Sequence, residues 1–246
     1  KLYKNTIKYI KMKKIVILGA GTGGTIMANK LRKELSRDEW EITIVDKNKT
    51  HYYQPGFLFI PFGIYKEQDV IKSKADFIPS GVKLIFNGID RIDPENNQVL
   101  LEGGQKLNYD FLIISTGTRT SPEETPGLKD ELWYKEIFDF YTIEGAVALK
   151  EFFETWKGGR LVMNIAELPF KCPVAPLEFV FLADEYFTKV GIRDKVDITY
   201  VTPLSGAFTK PRATKMLGEL LKEKNITVVP DFYLESVDNK EKVIRS

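Results

Sequence analysis

Apolar residues at the start of the chain fall into runs that alternate between strand length and helix length. The segment Lys13 to Leu18 ends in four consecutive aliphatic side chains, a run that is typical of a buried strand. Apolar side chains recur three and four positions apart from Gly23 to Glu34, and this spacing predicts a helix. A second apolar run covers Glu41 to Val45. The order strand, helix, strand predicts a βαβ unit with parallel strands.

Short β-type runs separated by turn residues continue this pattern. Asp, Pro, Asn and Gly residues between the runs are typical of tight turns. The pattern predicts a small antiparallel excursion whose last strand returns to the parallel sheet. The runs are Val82 to Phe86, Gly88 to Ile92, Gln98 to Leu101 and Phe111 to Ile114.

Aromatic and proline residues crowd the segment from Tyr52 to Phe62 without a clear period. One interpretation is a flap that lies on an apolar ligand. The other is a packed surface loop.

Strand and helix patterns alternate again in the second half of the chain. A linker containing Pro122, Pro126 and Gly127 precedes them and marks a candidate domain boundary. A second α/β unit is therefore expected. Its predicted elements are helices over Ile143 to Trp156, Glu178 to Lys189 and Ala213 to Lys224, strands over Arg160 to Ala166, Val196 to Val201 and Ile226 to Val229, and a closing strand pair over Tyr233 to Val237 and Lys242 to Ile244.

Three glycines in the pattern G-x-G-x-x-G follow the first strand directly. They are Gly19, Gly21 and Gly24, and Asp46 ends the second apolar run. Glycines at this turn let the backbone approach a pyrophosphate at a helix N-terminus, and a carboxylate about 20 residues later accepts ribose hydroxyls. Motif and context together predict a dinucleotide site, although the motif alone does not separate FAD from NAD.

The fold class expected from these patterns is α/β, with two Rossmann-like dinucleotide-binding domains, the second degenerate. We expect residues 1–11 to be a leader or tag, residues 12–120 to form the FAD-binding domain, and residues 121–246 to form the second domain, incomplete at its C-terminus. The antiparallel excursion belongs to the first domain. The second domain counts as degenerate because the turn after its first strand, Glu167 to Pro176, contains no glycine.

Cys172 lies within this glycine-free turn and is the only cysteine of the chain. A following helix N-terminus and the neighbouring Lys171 favour a thiolate, which is the nucleophilic form. Glu178, six residues later, is a candidate proton relay. The alternative is a small cysteine packed at a strand-helix junction.

Composition narrows the function classes only slightly. The 246 residues contain 36 basic and 34 acidic side chains, a net charge of +2, so no strong field indicates nucleic acid as a partner. A single cysteine excludes an internal disulfide. Neither an apolar span of transmembrane length nor a secretory signal is visible, so a cytoplasmic protein is expected. No metal site is predicted.

The motifs together resemble the flavin-dependent sulfide:quinone oxidoreductases and the related flavoprotein subunit of flavocytochrome c sulfide dehydrogenase. The resemblance runs from Met12 to the end of the chain. It is carried by the glycine motif with Asp46, by the return Thr116-Gly117, and most specifically by the segment from Pro169 to Glu178.

The resemblance implies FAD as cofactor and a redox role for the cysteine turn. No cysteine directly follows Gly117, so the covalent flavin attachment of some members has no candidate residue here, and we expect FAD to be held noncovalently. Cys172 would take up the sulfur of sulfide, Glu178 would be the nearby acidic residue, and electrons would pass through the flavin to a membrane quinone. Sulfide and quinone are then the small-molecule partners. The FAD-binding residues implied are Gly19, Gly21, Gly24, Asp46, Lys47, Thr116 and Gly117.

A departure from that family leaves alternatives open. The partner cysteine of that family and its quinone and membrane-contact segment lie downstream of the stretch that matches this chain, so we expect a fragment, or a chain that does not work as an enzyme by itself. Contact with the cytoplasmic membrane would be peripheral and would use segments absent here, and a homo-oligomer is expected. The alternatives are a type II NADH:quinone oxidoreductase, a flavocytochrome-linked flavoprotein and a non-catalytic flavin-binding fragment.

Overall fold

A computed structural model describes residues 12–246. The expected leader or tag at residues 1–11 lies outside the described residues. The strands are β1 Lys13–Leu18, β2 Trp40–Asp46, β3 Thr50–Tyr52, β4 Ile71–Ser73, β5 Val82–Phe86, β6 Ile89–Asp93, β7 Gln98–Leu101, β8 Lys106–Asn108, β9 Phe111–Ile114, β10 Gly159–Asn164, β11 Val196–Val201, β12 Ile226–Val229, β13 Ser236–Asp238 and β14 Val243–Arg245. The helices are α1 Thr22–Glu34, α2 Ile143–Thr155, α3 Ala175–Lys189 and α4 Pro211–Glu223, and 3-10 turns cover Gln54–Phe59, Glu67–Val70, Lys74–Phe77, Pro122–Glu124 and Arg193–Lys195.

The described residues form two compact units. The first contains residues 12–53 and 71–119, and the second contains residues 54–70 and 120–246. The α/β class expected from the sequence is confirmed. The segment 54–70 belongs to the second unit, whereas its position along the chain assigned it to the first domain.

A four-stranded parallel sheet in the order β5-β2-β1-β9 is the centre of the first unit. Successive side chains of β1 point to opposite faces of the sheet, and both faces are buried. Ile15 and Ile17 pack in the cluster that contains Ala28 of α1. Val16 and Leu18 pack in the cluster that contains β7. This two-sided burial explains the continuous aliphatic run in the sequence.

Strands β6, β7 and β8 form a separate antiparallel sheet in the first unit. This is the predicted antiparallel excursion, and β9 returns from it to the parallel sheet beside β1. The short antiparallel pair β3 and β4, in which Thr50 lies opposite Ser73, was not predicted from the sequence. Strands of three residues carry too few positions for a period to be recognised.

The second unit is built on a parallel sheet in the order β10-β11-β12. Helices α3 and α4 connect these strands, which gives a βαβαβ arrangement. Side chains of both helices and of the sheet share one core, with Val180, Phe187, Ile198, Tyr200 and Leu221 almost inaccessible to solvent. The predicted alternation of strands and helices is found here. The apolar side chains that follow the strand period and those that follow the helix period point into this one core.

The aromatic segment packs into the core of the second unit. Leu58 and Phe62 belong to its buried cluster, and the ring of Phe62 lies 5.2 Å from that of Phe179. Phe179 in turn stacks on Phe140, with ring centres 4.8 Å apart and an interplanar angle of 8°. The packed-loop interpretation therefore describes these side chains, and the flap interpretation does not.

The chain closes on the antiparallel pair β13 and β14. The pair was predicted, although its strands begin one to three residues later than expected. No helix within residues 12–246 combines the length and the apolarity needed to cross a membrane.

Candidate functional site

The glycine turn brings three elements of the first unit into contact without side chains between them. Gly19 has φ +94°, and a Cβ atom there would lie 2.2 Å from the carbonyl oxygen of Ser115, which follows β9. A Cβ atom on Gly24 would lie 1.8 Å from the carbonyl oxygen of Gly19. Only glycine permits this approach of β1, α1 and β9.

The N-terminus of α1 is open towards a ligand. Gly21 is the N-cap and has no side chain to satisfy the first amides of the helix. The first helical bond runs from the Thr25 amide to the Gly21 carbonyl at 3.0 Å, so the amides of residues 22–24 have no acceptor within the helix. A Cβ atom on Gly21 would meet nothing within 4 Å. Free amides and the positive end of the helix dipole suit a phosphate at this position.

Asp46 ends β2 and its carboxylate is already engaged on both oxygens. Oδ2 accepts the Ala20 amide at 2.7 Å. Oδ1 accepts the Asn48 amide at 2.8 Å and lies 2.6 Å from the Lys74 ammonium nitrogen. The Asp46 side chain is 13% exposed and that of Lys74 is 10% exposed. The carboxylate thus lies beside the glycine turn, tied to a lysine that the sequence analysis did not single out.

The remaining candidates for cofactor binding also lie at the carboxyl edge of the sheet. Lys47 is exposed, and its ammonium nitrogen lies 3.2 Å from a carboxylate oxygen of Glu102. Thr116 and Gly117 follow β9, and Gly117 has φ +73° with open space where a Cβ atom would stand. Ligands of open α/β sheets bind at this edge.

This edge fits the ADP portion of a dinucleotide. The open amides of α1 suit a pyrophosphate, and the space in front of Gly21 leaves room for its close approach. Asp46 supplies a carboxylate at the end of the neighbouring strand, where a ribose is recognised. FAD and NAD share this portion, so the edge by itself fits either.

In the second unit, Cys172 lies between β10 and α3. It is a free thiol, half-buried, and packs against the core cluster. Helix α3 starts at Ala175, with Val174 as its N-cap and Pro176 in its first turn. The Lys171 ammonium donates a hydrogen bond to the side-chain carbonyl of Gln54, so this lysine is engaged with the segment 54–70.

A buried hydroxyl that was not singled out from the sequence lies within electrostatic range of the two catalytic candidates. The Tyr141 hydroxyl oxygen is inaccessible to solvent and has no hydrogen-bond partner. Burial, and after it electrostatic interaction with Cys172, Tyr200 and Glu178, raises the pKa of Tyr141 to about 12. Glu178 is exposed in the first turn of α3. Cys172 and Glu178 therefore lie within electrostatic range of one buried tyrosine, which no local pattern could have indicated.

A metal site is not apparent in this part of the chain. Among residues 12–246, no group of three or more His, Cys, Asp and Glu side chains is arranged to hold an ion.

The comparisons with known proteins agree with a dinucleotide site at the carboxyl edge of the sheet in the first unit. The family model described as pyridine nucleotide-disulphide oxidoreductase matches residues 13–150. A mitochondrial sulfide:quinone oxidoreductase of Dictyostelium discoideum is 30% identical over 224 residues, which cover 91% of this chain and 49% of that protein. A type II NADH:quinone oxidoreductase of Staphylococcus haemolyticus is 34% identical over 119 residues, covering 48% of this chain and 29% of that protein.

The fold has a close counterpart among solved structures. The sulfide:quinone oxidoreductase of Aquifex aeolicus matches with a TM-score of 0.78 at 21% identity, covering 95% of this chain and 56% of that one. At this identity the match concerns the fold alone. The chain spans about half the length of the sulfide:quinone oxidoreductases it matches.

Proposed function

Because the chain belongs to the pyridine nucleotide-disulphide oxidoreductase family, we propose that it is an FAD-dependent oxidoreductase of the sulfide:quinone type. It would oxidise sulfide at Cys172 and pass the electrons through FAD to a membrane quinone. The observation that carries the proposal is the extent of the similarity: the Dictyostelium sulfide:quinone oxidoreductase aligns with 91% of this chain. An alignment of that length takes in most of both units.

The first unit would hold the cofactor through its sheet edge. Gly19, Gly21 and Gly24 would admit the pyrophosphate to the amides of α1, and Asp46 would accept a ribose hydroxyl. Lys47, Thr116 and Gly117 would lie beside it at the same edge. When bound, FAD supplies the two-electron acceptor that no side chain of the chain offers.

The second unit would serve as a degenerate dinucleotide domain that offers a thiol in place of a second nucleotide site. The segment Glu167 to Pro176, which leads into α3, contains no glycine where a pyrophosphate site needs one. Cys172 would take up the sulfur of hydrosulfide, and Glu178 would accept the proton released. An S–S bond would form between the Cys172 sulfur and the sulfide sulfur, which would release one proton and two electrons. Bound FAD would supply the acceptor for these two electrons, with a quinone as their final acceptor.

Anaerobic mixing of the FAD-loaded protein with sulfide tests the proposal. We expect sulfide to bleach the flavin absorbance of the wild type, and Cys172→Ala to abolish that bleaching while FAD stays bound. Glu167→Gln, in the same turn but outside the proposed chemistry, is the matched control. Full reduction by sulfide in Cys172→Ala would remove this cysteine from the mechanism.

A second candidate function is that of a type II NADH:quinone oxidoreductase. The Staphylococcus relative favours it, although that similarity covers 48% of this chain. Rapid bleaching by NADH but not by sulfide would support this function over the first. If the protein shows no flavin absorbance after incubation with FAD and removal of the free cofactor, both functions are contradicted. Peripheral membrane contact and homo-oligomer formation stay predictions.

A further inference from the structure

The buried ion pair between Lys74 and Asp46 reaches directly into the proposed cofactor edge. We propose that Lys74 is a positioning residue of the dinucleotide site, which holds the Asp46 carboxylate so that only Oδ2 keeps an acceptor position for a ribose hydroxyl. The inference rests on the proposed function only in requiring a dinucleotide at Asp46. It does not depend on sulfide, on the quinone or on Cys172.

The number of hydrogen bonds that the Asp46 carboxylate can still accept supports this proposal. An ionised carboxylate has about four acceptor positions, two on each oxygen. Oδ1 uses both of its positions, one for the Asn48 amide and one for the Lys74 ammonium. Oδ2 uses one for the Ala20 amide. One acceptor position is left, so Asp46 can receive one hydroxyl of the adenosine ribose, while the other needs a different partner.

The chain fixes Lys74 in place from several sides. Its residue is 8% exposed, and its backbone amide donates to the Lys49 carbonyl at 2.9 Å. The pair β3 and β4 precedes it and returns the chain from Thr50 to Ser73 beside the end of β2. A buried ammonium group without a carboxylate is unfavourable, so Lys74 and Asp46 depend on each other.

Charge gives Lys74 a second effect on the same site. Asp46 bonds the Ala20 amide within the glycine turn, so its negative charge lies near the position of a bound pyrophosphate. The Lys74 ammonium offsets that charge. Without it, the carboxylate and the phosphates would repel each other in a partly buried site, where screening by water is weak.

His51 provides a signal for the ion pair that is independent of the cofactor. It is the only histidine in the chain, and its ring lies 4.8 Å from that of Phe77. Burial lowers the pKa of His51 and the charge of Lys74 lowers it further. Lys72 lies opposite His51 in the strand pair. Removing the Lys74 charge should therefore raise the pKa of His51, which proton NMR follows as one titrating imidazole signal.

The test compares Lys74→Met, Lys74→Arg and the control Lys72→Met in the whole chain without an affinity tag. Lys72 is exposed on the same segment, so its substitution controls for the loss of one lysine. We expect Lys74→Met to weaken FAD binding at least tenfold and to raise the pKa of His51. Lys74→Arg should restore most of the affinity, and Lys72→Met should stay within twofold of the wild type.

FAD analogues that lack either the 2′- or the 3′-hydroxyl of the adenosine ribose complete the experiment. In the wild type, removal of one hydroxyl should weaken binding about tenfold more than removal of the other. Equal losses for both analogues, or unchanged FAD affinity in Lys74→Met, would overturn the proposal. If FAD binding depends on Lys74 as expected but sulfide does not reduce the flavin, the proposed function fails and this inference stands. A wild type that binds no FAD overturns both.

Discussion

Gly24 lies against the carbonyl group of Gly19, so close that a Cβ atom on Gly24 would stand 1.8 Å from the oxygen. The first turn of α1 is thereby held directly on the turn that follows β1. Gly21 lies between the two and faces open space. The glycines of one motif therefore have different physical duties, two of them in packing and one towards a ligand.

Alanine substitutions should separate these duties. Gly24→Ala forces a clash with backbone atoms, so we expect it to destabilise the protein by roughly 2–4 kcal/mol and to abolish FAD binding. Gly21→Ala has space for its methyl group and should leave the free energy of unfolding within about 1 kcal/mol of the wild type. Its methyl group would nevertheless occupy the approach of the pyrophosphate and should lower FAD affinity at least tenfold. Urea unfolding of the apoprotein and flavin fluorescence titration measure the two effects. Equal destabilisation by both substitutions would contradict this division.

Tyr141 should influence the reactivity of Cys172 without contributing to stability. Its buried hydroxyl has no acceptor, so Tyr141→Phe should change the free energy of unfolding by less than about 1 kcal/mol. The same hydroxyl keeps its proton at neutral pH, because burial, and after it the neighbouring charges, raise its pKa to about 12. We expect this unused donor to form a hydrogen bond with Cys172 when its thiolate forms. Hydrogen bonding to the charged form favours that form.

Alkylation of Cys172 measures this influence. We expect iodoacetamide to alkylate Cys172 at least about threefold more slowly in Tyr141→Phe than in the wild type at pH 7. Mass spectrometry follows the reaction. Tyr186→Phe is the control, since Tyr186 packs against the same core but is not among the groups that act on Tyr141. Identical alkylation rates in the two variants would remove Tyr141 from the environment of the thiol.

Local pattern was enough to predict most of the fold, because strands buried on both faces and amphipathic helices carry their periods in sequence. The bounds of β1, β5, β7, β9, β11 and β12 match the predictions residue for residue. The glycine motif with Asp46 was likewise readable, since its spacing follows from the βαβ unit itself.

What the sequence did not reveal depends on contacts between distant residues. Lys74 reaches Asp46 through a strand pair of three residues each, and charged residues are so common at surfaces that a buried lysine has no local signature. Tyr141 and Cys172 both pack against the core of the second unit, which forms only once α3 has packed on the sheet. The segment 54–70 joins the second unit through apolar side chains whose partners lie 80 or more residues away.

Phe62 should therefore support the second unit. It is 7% exposed and packs on the rings of Phe153 and Phe179. Phe62→Ala should lower the free energy of unfolding by about 3–5 kcal/mol, the range for a buried aromatic side chain. Ile64→Ala, at an exposed position of the same segment, should cost less than about 1 kcal/mol. Hydrogen exchange should locate the loss of protection in residues 120–246; a loss confined to the first unit would contradict the assignment of the segment.

Asp184 should make the stability of the second unit depend on pH. Its Oδ1 accepts Arg193 Nε at 2.6 Å and its Oδ2 accepts Lys224 Nζ at 2.6 Å. Burial works to raise the pKa of Asp184, but hydrogen bonds from Lys224 and Arg193, with the charges of both, outweigh it and hold the pKa below 3.8. A depressed carboxyl pKa contributes stability that is complete above the unfolded value near 3.9 and is lost as pH falls through the lower, folded value.

Comparison of the wild type with Asp184→Asn isolates this contribution. The asparagine leaves Arg193 and Lys224 without a carboxylate, so we expect a loss of about 2–3 kcal/mol at pH 7. The difference between the two proteins should stay constant down to about pH 5 and then shrink as the wild-type carboxyl group is protonated below pH 4. Asp197→Asn is the control, because its pair with Arg160 is exposed and should be worth less than about 1 kcal/mol. Urea titrations at pH 7, 5, 4 and 3 give the four differences; a gap that widens towards low pH would mean that Asp184 is not held in its charged form by these two cations.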